Sequence, residues 1–160
     1  MPMSDRNALG EALGLIVSGA FVVTARYDEQ STGFLASWVQ QAAFEPPLIS
    51  LAVKVGRPIQ DLLNAGAPFV VNILAKGQDA LFKHFARGFS LDEPAFEGVR
   101  TIYGITGSPI LADALAYLEC RPHSRLPAGD HVLYIGEVVA GEVAGSGAPQ
   151  VRVRKSGFEY

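Results

Sequence analysis

Short apolar runs, separated by glycine, proline and polar residues, recur along the chain and predict a mainly β protein. Ala20–Tyr27 and Pro68–Ala75 are rich in the β-branched and aromatic residues that favour strands. Further runs of strand character are Gly33–Pro47, Pro46–Lys54, Ala116–His123, Asp130–Ala144 and Gln150–Ser156. The polar segment Asp28–Thr32 is predicted to form the turn between the first two strands.

Three further segments have the spacing or the boundary residues of short helices. They are Ser4–Gly14, Pro58–Asn64 and Gly77–Phe89, and in the last one Leu81, Phe82 and Phe85 share one side. Because strands outnumber helices, the pattern favours a β-barrel with decorating helices over a doubly wound parallel sheet. We expect one domain spanning residues 1–160, since no repeat or linker divides the chain.

The charge of the chain argues against nucleic-acid binding. The net charge is −3, and the nearest approach to a basic cluster, Val151–Gly157, carries three cations. Charged residues make up 18% of the sequence, compared with roughly 25% in an average soluble domain. Such sparse charge predicts an apolar surface that an oligomer or a bound apolar cofactor covers.

The apolar runs are too short to predict membrane insertion. One of the longest, Gly14–Val23, falls well short of a membrane span, and no charged segment with a cleavage site precedes it. The single cysteine, Cys120, excludes an internal disulfide and fits a reducing compartment. We therefore expect a cytoplasmic protein without a membrane partner.

The run Gly33–Pro47 contains the single tryptophan, Trp38, and does not alternate as a half-buried strand should. Small residues leave space beside its backbone, while Ser37, Gln40 and Gln41 offer hydrogen-bond donors and acceptors. One interpretation is a tightly packed barrel strand with Trp38 in the core. The other is a strand against which a flat heteroaromatic ring lies, bound at its edge by backbone groups.

The segment Ala52–Leu63 has the features of an anion site. A predicted strand ends at Lys54, Gly56 permits a tight turn, and proline suits the first position of the helix that follows. Free backbone N–H groups at that helix end, with Lys54 and Arg57 beside them, would bind a phosphomonoester. The alternative is that Arg57 pairs with Asp61 one turn later.

Other polar residues have a structural and a functional interpretation each. His131, at the entrance of a strand, either touches a ligand or bonds its own turn. Asn72, inside an apolar strand, needs hydrogen-bond partners, which are either backbone groups or the edge of a ligand. Phe85 is expected in the core or over a pocket, and Cys120 is expected to be a buried structural thiol. The histidines lack metal-ligand spacing, so we expect no metal site.

Several of these segments, in this order, resemble one known family. They are GFLASWVQQAAFEPPLISLAV, FVVNILAKGQDALFKHFA, GSPILADALAYLEC, GDHVLYIGEV and RKSGFEY. Together they resemble the flavin reductase-like family of FMN-binding split β-barrels. They are most similar to the flavin reductase domain at the C-terminus of some flavodiiron proteins. The resemblance covers Asn7–Tyr160, although many members have serine or threonine where Gln40, Gln41 and Ala43 stand.

The resemblance implies a Greek-key split β-barrel that forms a homodimer and binds FMN near the subunit interface. It places His131 near the nicotinamide of NADH or NADPH. Residues implied to lie near the FMN are Ser37, Trp38, Val39, Gln40, Gln41, Lys54, Arg57, Asn72, Phe85 and Lys155. Of these, Lys54 and Arg57 would bind the phosphate, and Lys155 would approach from the last strand.

The function that follows from the resemblance is NAD(P)H-dependent reduction of flavin, with hydride passing from the nicotinamide to FMN N5. The acceptor stays open between free flavin, a partner oxygenase, ferric iron and a partner metalloprotein. The alternatives are a non-enzymatic FMN-binding module fed by a protein donor, and a structural barrel without cofactor. Since 160 residues leave no room for diiron and flavodoxin domains, we expect a free-standing reductase.

Overall fold

A computed structural model describes residues 3–160 of the chain. Its helices are α1 (Met3–Gly14), α2 (Ile59–Asn64) and α3 (Asp79–Ala86). Its strands are β1 (Ser18–Gly19), β2 (Phe21–Tyr27), β3 (Gln30–Ala36), β4 (Val39–Ala43), β5 (Leu48–Lys54), β6 (Phe69–Ile73), β7 (Thr101–Tyr103), β8 (Pro109–Leu111), β9 (Ala116–Ala128), β10 (His131–Val143) and β11 (Val151–Arg152). Among these described residues, no helix has the length and apolar character needed to cross a membrane.

Seven strands form one antiparallel sheet in the order β3-β2-β6-β9-β10-β5-β4. Two small pairs, β1 with β11 and β7 with β8, lie beside it. The long β9–β10 hairpin runs through the middle of the sheet and joins its two halves. The mainly β fold with short helices that the sequence predicts is therefore confirmed.

Two residues, Ser37 and Trp38, join the strands at opposite edges of this sheet. The Cα atoms of Ala36 and Val39 are three steps apart, so they lie at most about 11 Å from each other. A flat seven-strand sheet cannot bring its edges that close, so the sheet must curl into a barrel. The prediction of one continuous strand over Gly33–Pro47 is wrong, because the chain changes edges in the middle of that run.

The inside of the barrel is filled by side chains from both halves of the sheet. Its largest fully buried members include Leu51, Val53 and Phe69, each at most 1% exposed. Gly136 is required there, because a Cβ atom at this position would lie 2.5 Å from Cζ of Phe69. A second core, which includes Leu74 and Phe85, packs α3 and its flanking loops against the sheet.

The element boundaries differ from the sequence-based expectations at several places, including β9, which runs to Ala128 instead of ending at His123. The polar turn is limited to Asp28 and Glu29, and β3 already begins at Gln30. Asp28 has φ of 52°, which aspartate tolerates better than most residues. The helix predicted to reach Phe89 ends at Ala86, and the last predicted strand is reduced to Val151–Arg152.

Candidate functional site

A cavity of about 750 Å³ lies over β4, β5 and β10, on the side of Ser50 and Ala52, and it also reaches two residues of the barrel core, Ile49 and Val71. The strand register explains its position, since directly paired residues point to the same side of a sheet. Leu133 pairs with Ala52, and Ile135 pairs with Ser50. Alternate residues of β5, such as Leu51 and Val53, are buried on the opposite face. Most of the side chains that line the cavity are therefore small or apolar.

The segment Ser37–Gln41, which the sequence singles out, lines this cavity along its whole length. Ser37 is 7% exposed, whereas Gln40 and Gln41 are exposed at the surface. The main chain of the segment is anchored by the Ala52 N–H, which donates to the Trp38 carbonyl at 3.1 Å. Since β4 is an edge strand, alternate N–H groups of this segment point away from β5.

The sheet face that forms the cavity continues into a polar end. His131 is the register partner of Lys54, so both side chains point to the cavity side. His131 Nδ1–H donates to Oδ1 of Asp130 at 2.7 Å, and this bond lowers the pKa of the Asp130 carboxyl. The carboxylate thereby fixes the imidazole tautomer and leaves Nε2 to accept the hydroxyl of Tyr160.

Three aromatic rings, those of Trp38, His131 and Tyr160, form what we call the ring cluster. The Trp38 centroid lies 4.7 Å from that of His131 and 5.3 Å from that of Tyr160. The guanidinium carbon of Arg154 lies 5.1 Å from the Trp38 ring centroid, within the range of a cation–π interaction. Trp38 belongs to the cluster and also lines the cavity, so the interpretation that buries it in the barrel core is wrong.

The turn after β5 does not offer the free N–H groups that the sequence suggests. The Gly56 N–H donates to Oε1 of Gln60 at 2.8 Å, and the Arg57 N–H donates to the Lys54 carbonyl at 3.2 Å. The Val55 N–H is likewise bonded to the Asp130 carbonyl at 2.9 Å. An anion at this turn would therefore be bound mainly by the Lys54 and Arg57 side chains.

Arg57 points toward the ring cluster. Its guanidinium carbon lies 5.6 Å from the Tyr160 ring centroid and 6.0 Å from that of Phe34. The ion pairs between charged side chains of the described residues join Arg87 to Glu93 and Arg100 to Asp113. The alternative pairing of Arg57 with Asp61 is not among them, so within residues 3–160 that alternative is wrong.

Asn72 and Phe85 are enclosed by protein and do not line the cavity. Asn72 Nδ2 donates to the Val22 carbonyl at 2.9 Å, and its Oδ1 accepts the Leu111 N–H at 2.9 Å. Phe85 is 1% exposed in the second core. Of the two interpretations of Asn72, the structure favours backbone partners, and neither residue belongs to the site that the cavity defines.

The closing segment brings a different cation to the site from the one expected. Lys155 is exposed and does not line the cavity, whereas Arg154 lies over Trp38. Sequence reasoning also missed Asp130 and Tyr160. Asp130 could have been inferred, because it directly precedes His131 in the sequence. No local sequence pattern indicates that Tyr160 lies beside Trp38.

Cys120 is not placed as a reactive thiol, and the histidines of residues 3–160 do not form a metal-binding group. Cys120 is fully buried, and burial, followed by the nearby charge of Glu119, raises the pKa of its thiol to about 12. The prediction of a buried structural thiol is confirmed. Within residues 3–160, no group of three or more histidine, cysteine, aspartate or glutamate side chains is arranged to hold a metal ion.

An antiparallel barrel with an apolar cavity that borders a cluster of aromatic rings and cations has the architecture of β-barrels that bind small molecules. Residues 13–156 match the family model described as a flavin reductase like domain. The chain therefore belongs to the flavin reductase-like family, which confirms the resemblance found in the sequence.

Relatives and solved structures agree with this family. The chain is 43% identical over 154 residues to diflavin flavoprotein A 1 of Synechocystis, which covers 95% of the chain but 27% of that protein. The chain thus spans about a quarter of the length of the curated relatives it matches. The NADH:FAD oxidoreductase SgcE6 of Streptomyces globisporus superposes with a TM-score of 0.86 at 28% identity, covering 96% and 91% of the two chains. The same oxidoreductase in complex with NAD and FAD fragments gives a TM-score of 0.82 at 29% identity, with the same coverage.

The position of Asn72 leads to a prediction that separates its structural role from flavin binding. Asn72→Ala leaves the buried Leu111 N–H without its side-chain partner and removes the side-chain bond to the Val22 carbonyl, so we expect unfolding in urea to be easier by about 1–3 kcal/mol. Flavin affinity of the folded variant should change by no more than about twofold. The control is Asn7→Ala, which removes an exposed asparagine of α1. A loss of flavin affinity at unchanged stability would contradict this assignment.

Proposed function

We propose that the protein is an NAD(P)H-dependent flavin reductase that binds FMN in the cavity over β4, β5 and β10. The observation that carries the proposal is that the apolar cavity of about 750 Å³ shares Trp38 with the ring cluster. Two cations border that cluster outside the cavity lining, since Arg57 contacts Tyr160 and Lys54 is the register partner of His131. The family supports it, as does the likeness to an NADH:FAD oxidoreductase.

The residues present fit a flavin in both size and chemistry. A cavity of about 750 Å³ falls within the range of roughly 300–1,000 Å³ of sites for ligands of this size. The apolar lining suits a flat tricyclic ring, and the edge N–H groups of Ser37–Gln41 suit its polar rim. The side chains of Lys54 and Arg57 would bind the phosphate as charge-assisted partners.

A bound flavin supplies the hydride acceptor, nitrogen N5, for the C4 hydride of a nicotinamide. The chain has to bind and orient the two rings, because this transfer requires no protein acid or base. His131, held in one orientation by Asp130, would contact the nicotinamide. Donors from the edge of β4 would stabilise negative charge on the reduced ring. The apolar lining of the cavity excludes water.

We also propose that the reductase is a homodimer. Several apolar side chains at or beside the cavity are exposed, including Leu15 at 70%, Ile16 at 65% and Val17 at 60%. A second copy would cover this surface, in agreement with the low charge content of the chain. The single, buried thiol fits a cytoplasmic location, and the reduced flavin would pass electrons to a redox partner or to free flavin.

The role assigned to His131 predicts a selective loss of nicotinamide use. In wild-type protein loaded with FMN, NADH or NADPH should bleach the yellow flavin absorbance in stopped-flow experiments. In His131→Ala we expect about a tenfold loss in nicotinamide affinity or in the reduction rate, because one polar contact is removed. FMN affinity should be unchanged. His123→Ala, which removes an exposed histidine of β9, is the control.

The same experiment separates the enzyme from the alternative function. If FMN binds but neither nicotinamide bleaches it, the protein is an FMN-binding electron-transfer module that takes electrons from a protein donor. If FMN does not bind at all, the cavity is not a flavin site and the reductase proposal fails.

The assignment of Arg57 to the phosphate predicts a difference between FMN and riboflavin. Loss of one charge-assisted contact should weaken FMN binding in Arg57→Ala by about 10- to 100-fold. Riboflavin has no phosphate, so its affinity should change by no more than about twofold. Arg87→Ala, in which an exposed arginine paired with Glu93 is removed, is the matched control in flavin titrations. Equal losses for both flavins would remove Arg57 from the phosphate site.

A further inference from the structure

The closing segment, Arg154–Tyr160, is fitted closely onto helix α1. The Arg154 N–H donates to the Gly14 carbonyl at 3.0 Å, and the Gly157 N–H donates to the Gly10 carbonyl at 2.6 Å. A Cβ atom at Gly157 would lie 2.1 Å from Cβ of Leu13, so the two backbones meet where no side chain intervenes. The path of the segment is therefore set by packing on α1.

Further contacts fix the end of the segment. The Arg6 guanidinium carbon lies 3.9 Å from the Phe158 ring centroid. Arg154 turns back and donates from Nη1 to the Glu159 carbonyl at 2.9 Å. These contacts position Phe158 and Glu159, and Tyr160, which follows them, contacts Trp38 and His131.

Tyr160 covers the polar side chains at the cavity end. Its ring centroid lies 5.3 Å from Trp38 and 5.9 Å from His131, and its hydroxyl is hydrogen-bonded to Nε2 of His131. The guanidinium carbon of Arg57 lies 5.6 Å from the Tyr160 ring centroid. Tyr160 thus occupies the acceptor nitrogen Nε2 of His131 and covers the aromatic surface on which a flat ligand ring would stack.

Tyr160 is far more exposed to solvent than an aromatic residue of the core. It is 50% exposed, whereas aromatic residues of the two cores such as Phe69 and Phe85 are 1% exposed. Its partners, Trp38, His131 and Arg57, can equally contact another flat ring that carries a polar substituent. Exchange of one aromatic ring for another preserves most of the stacking energy, so displacement of Tyr160 costs little.

We propose that Tyr160 is a displaceable gate that closes the nicotinamide position and leaves it when the dinucleotide enters. The gate rests on the proposed function, because the ligand that displaces Tyr160 is the nicotinamide of that reaction. Because only molecules with an open gate bind the dinucleotide, its apparent affinity equals the intrinsic affinity multiplied by the open fraction. If about one molecule in ten is open, removing the gate should tighten dinucleotide binding about tenfold.

Two variants open the gate by different means. Tyr160→Ala removes the ring, and Gly157→Ala leaves the ring intact but forces the closing segment away from Leu13. Tyr160→Phe keeps the ring and loses the bond to His131. The control is Tyr103→Ala, which removes a tyrosine that is 58% exposed in β7.

The dissociation constants of NAD⁺ and NADP⁺ are measured by calorimetry on FMN-loaded protein, where the oxidised dinucleotides bind without turnover. We expect tighter binding by about tenfold in Tyr160→Ala and Gly157→Ala, a smaller gain in Tyr160→Phe, and no change in Tyr103→Ala. Unchanged affinity in the first two variants would overturn the gate. Weaker binding would also overturn it and would make Tyr160 a residue that stacks on the bound ligand.

The outcomes also separate the gate from the proposed function. If FMN and dinucleotide bind to all variants equally well, the gate is absent and the reductase assignment stands. If neither dinucleotide binds to the wild type or to any variant, the nicotinamide site is absent, and the gate falls with it.

Discussion

The two-residue connection at Ser37 and Trp38 is the constraint on which the rest of the structure depends. It joins strands at opposite edges of a seven-strand sheet, so the sheet has to close into a barrel. The hydrogen bond from Ala52 to the Trp38 carbonyl then fixes where the chain enters β4. Closure leaves β4 as an edge strand and brings Trp38 to the outer face of the barrel. The fold thereby creates a strand with available backbone donors beside an apolar cavity.

The register between β5 and β10 determines which side chains the barrel presents at the site. Pairing of β5 with β10 sets His131 opposite Lys54 and Leu133 opposite Ala52. One face of the sheet is therefore apolar in the middle and polar at one end, which matches a ligand with an apolar ring and charged substituents. The hydrogen bond from His131 to Asp130 orients the imidazole ring, and the Trp38 and His131 rings together form a surface on which a flat ligand can stack.

Much of this architecture can be predicted from the sequence. The runs around β2, β5 and β6 are short, apolar and β-branched, and each forms a strand close to its expected bounds. Periodicity cannot show the break at Ser37, because the residues on both sides are equally strand-like. Nor can it show that the N–H groups after Lys54 are already bonded, since one of their partners is the Gln60 side chain. Tyr160 reaches Trp38 through packing on α1, which depends on contacts far apart in the sequence.

The central claim, that flavin lies against Trp38 on the outer face of the barrel, can be tested with a single fluorescence titration. Trp38 is the only tryptophan of the chain, so its emission reports on that position alone. FMN added to the protein should quench this emission saturably, with the midpoint at the dissociation constant obtained from the yellow absorbance that stays with the protein. FMN that remains bound while the emission of Trp38 is unchanged would contradict the account.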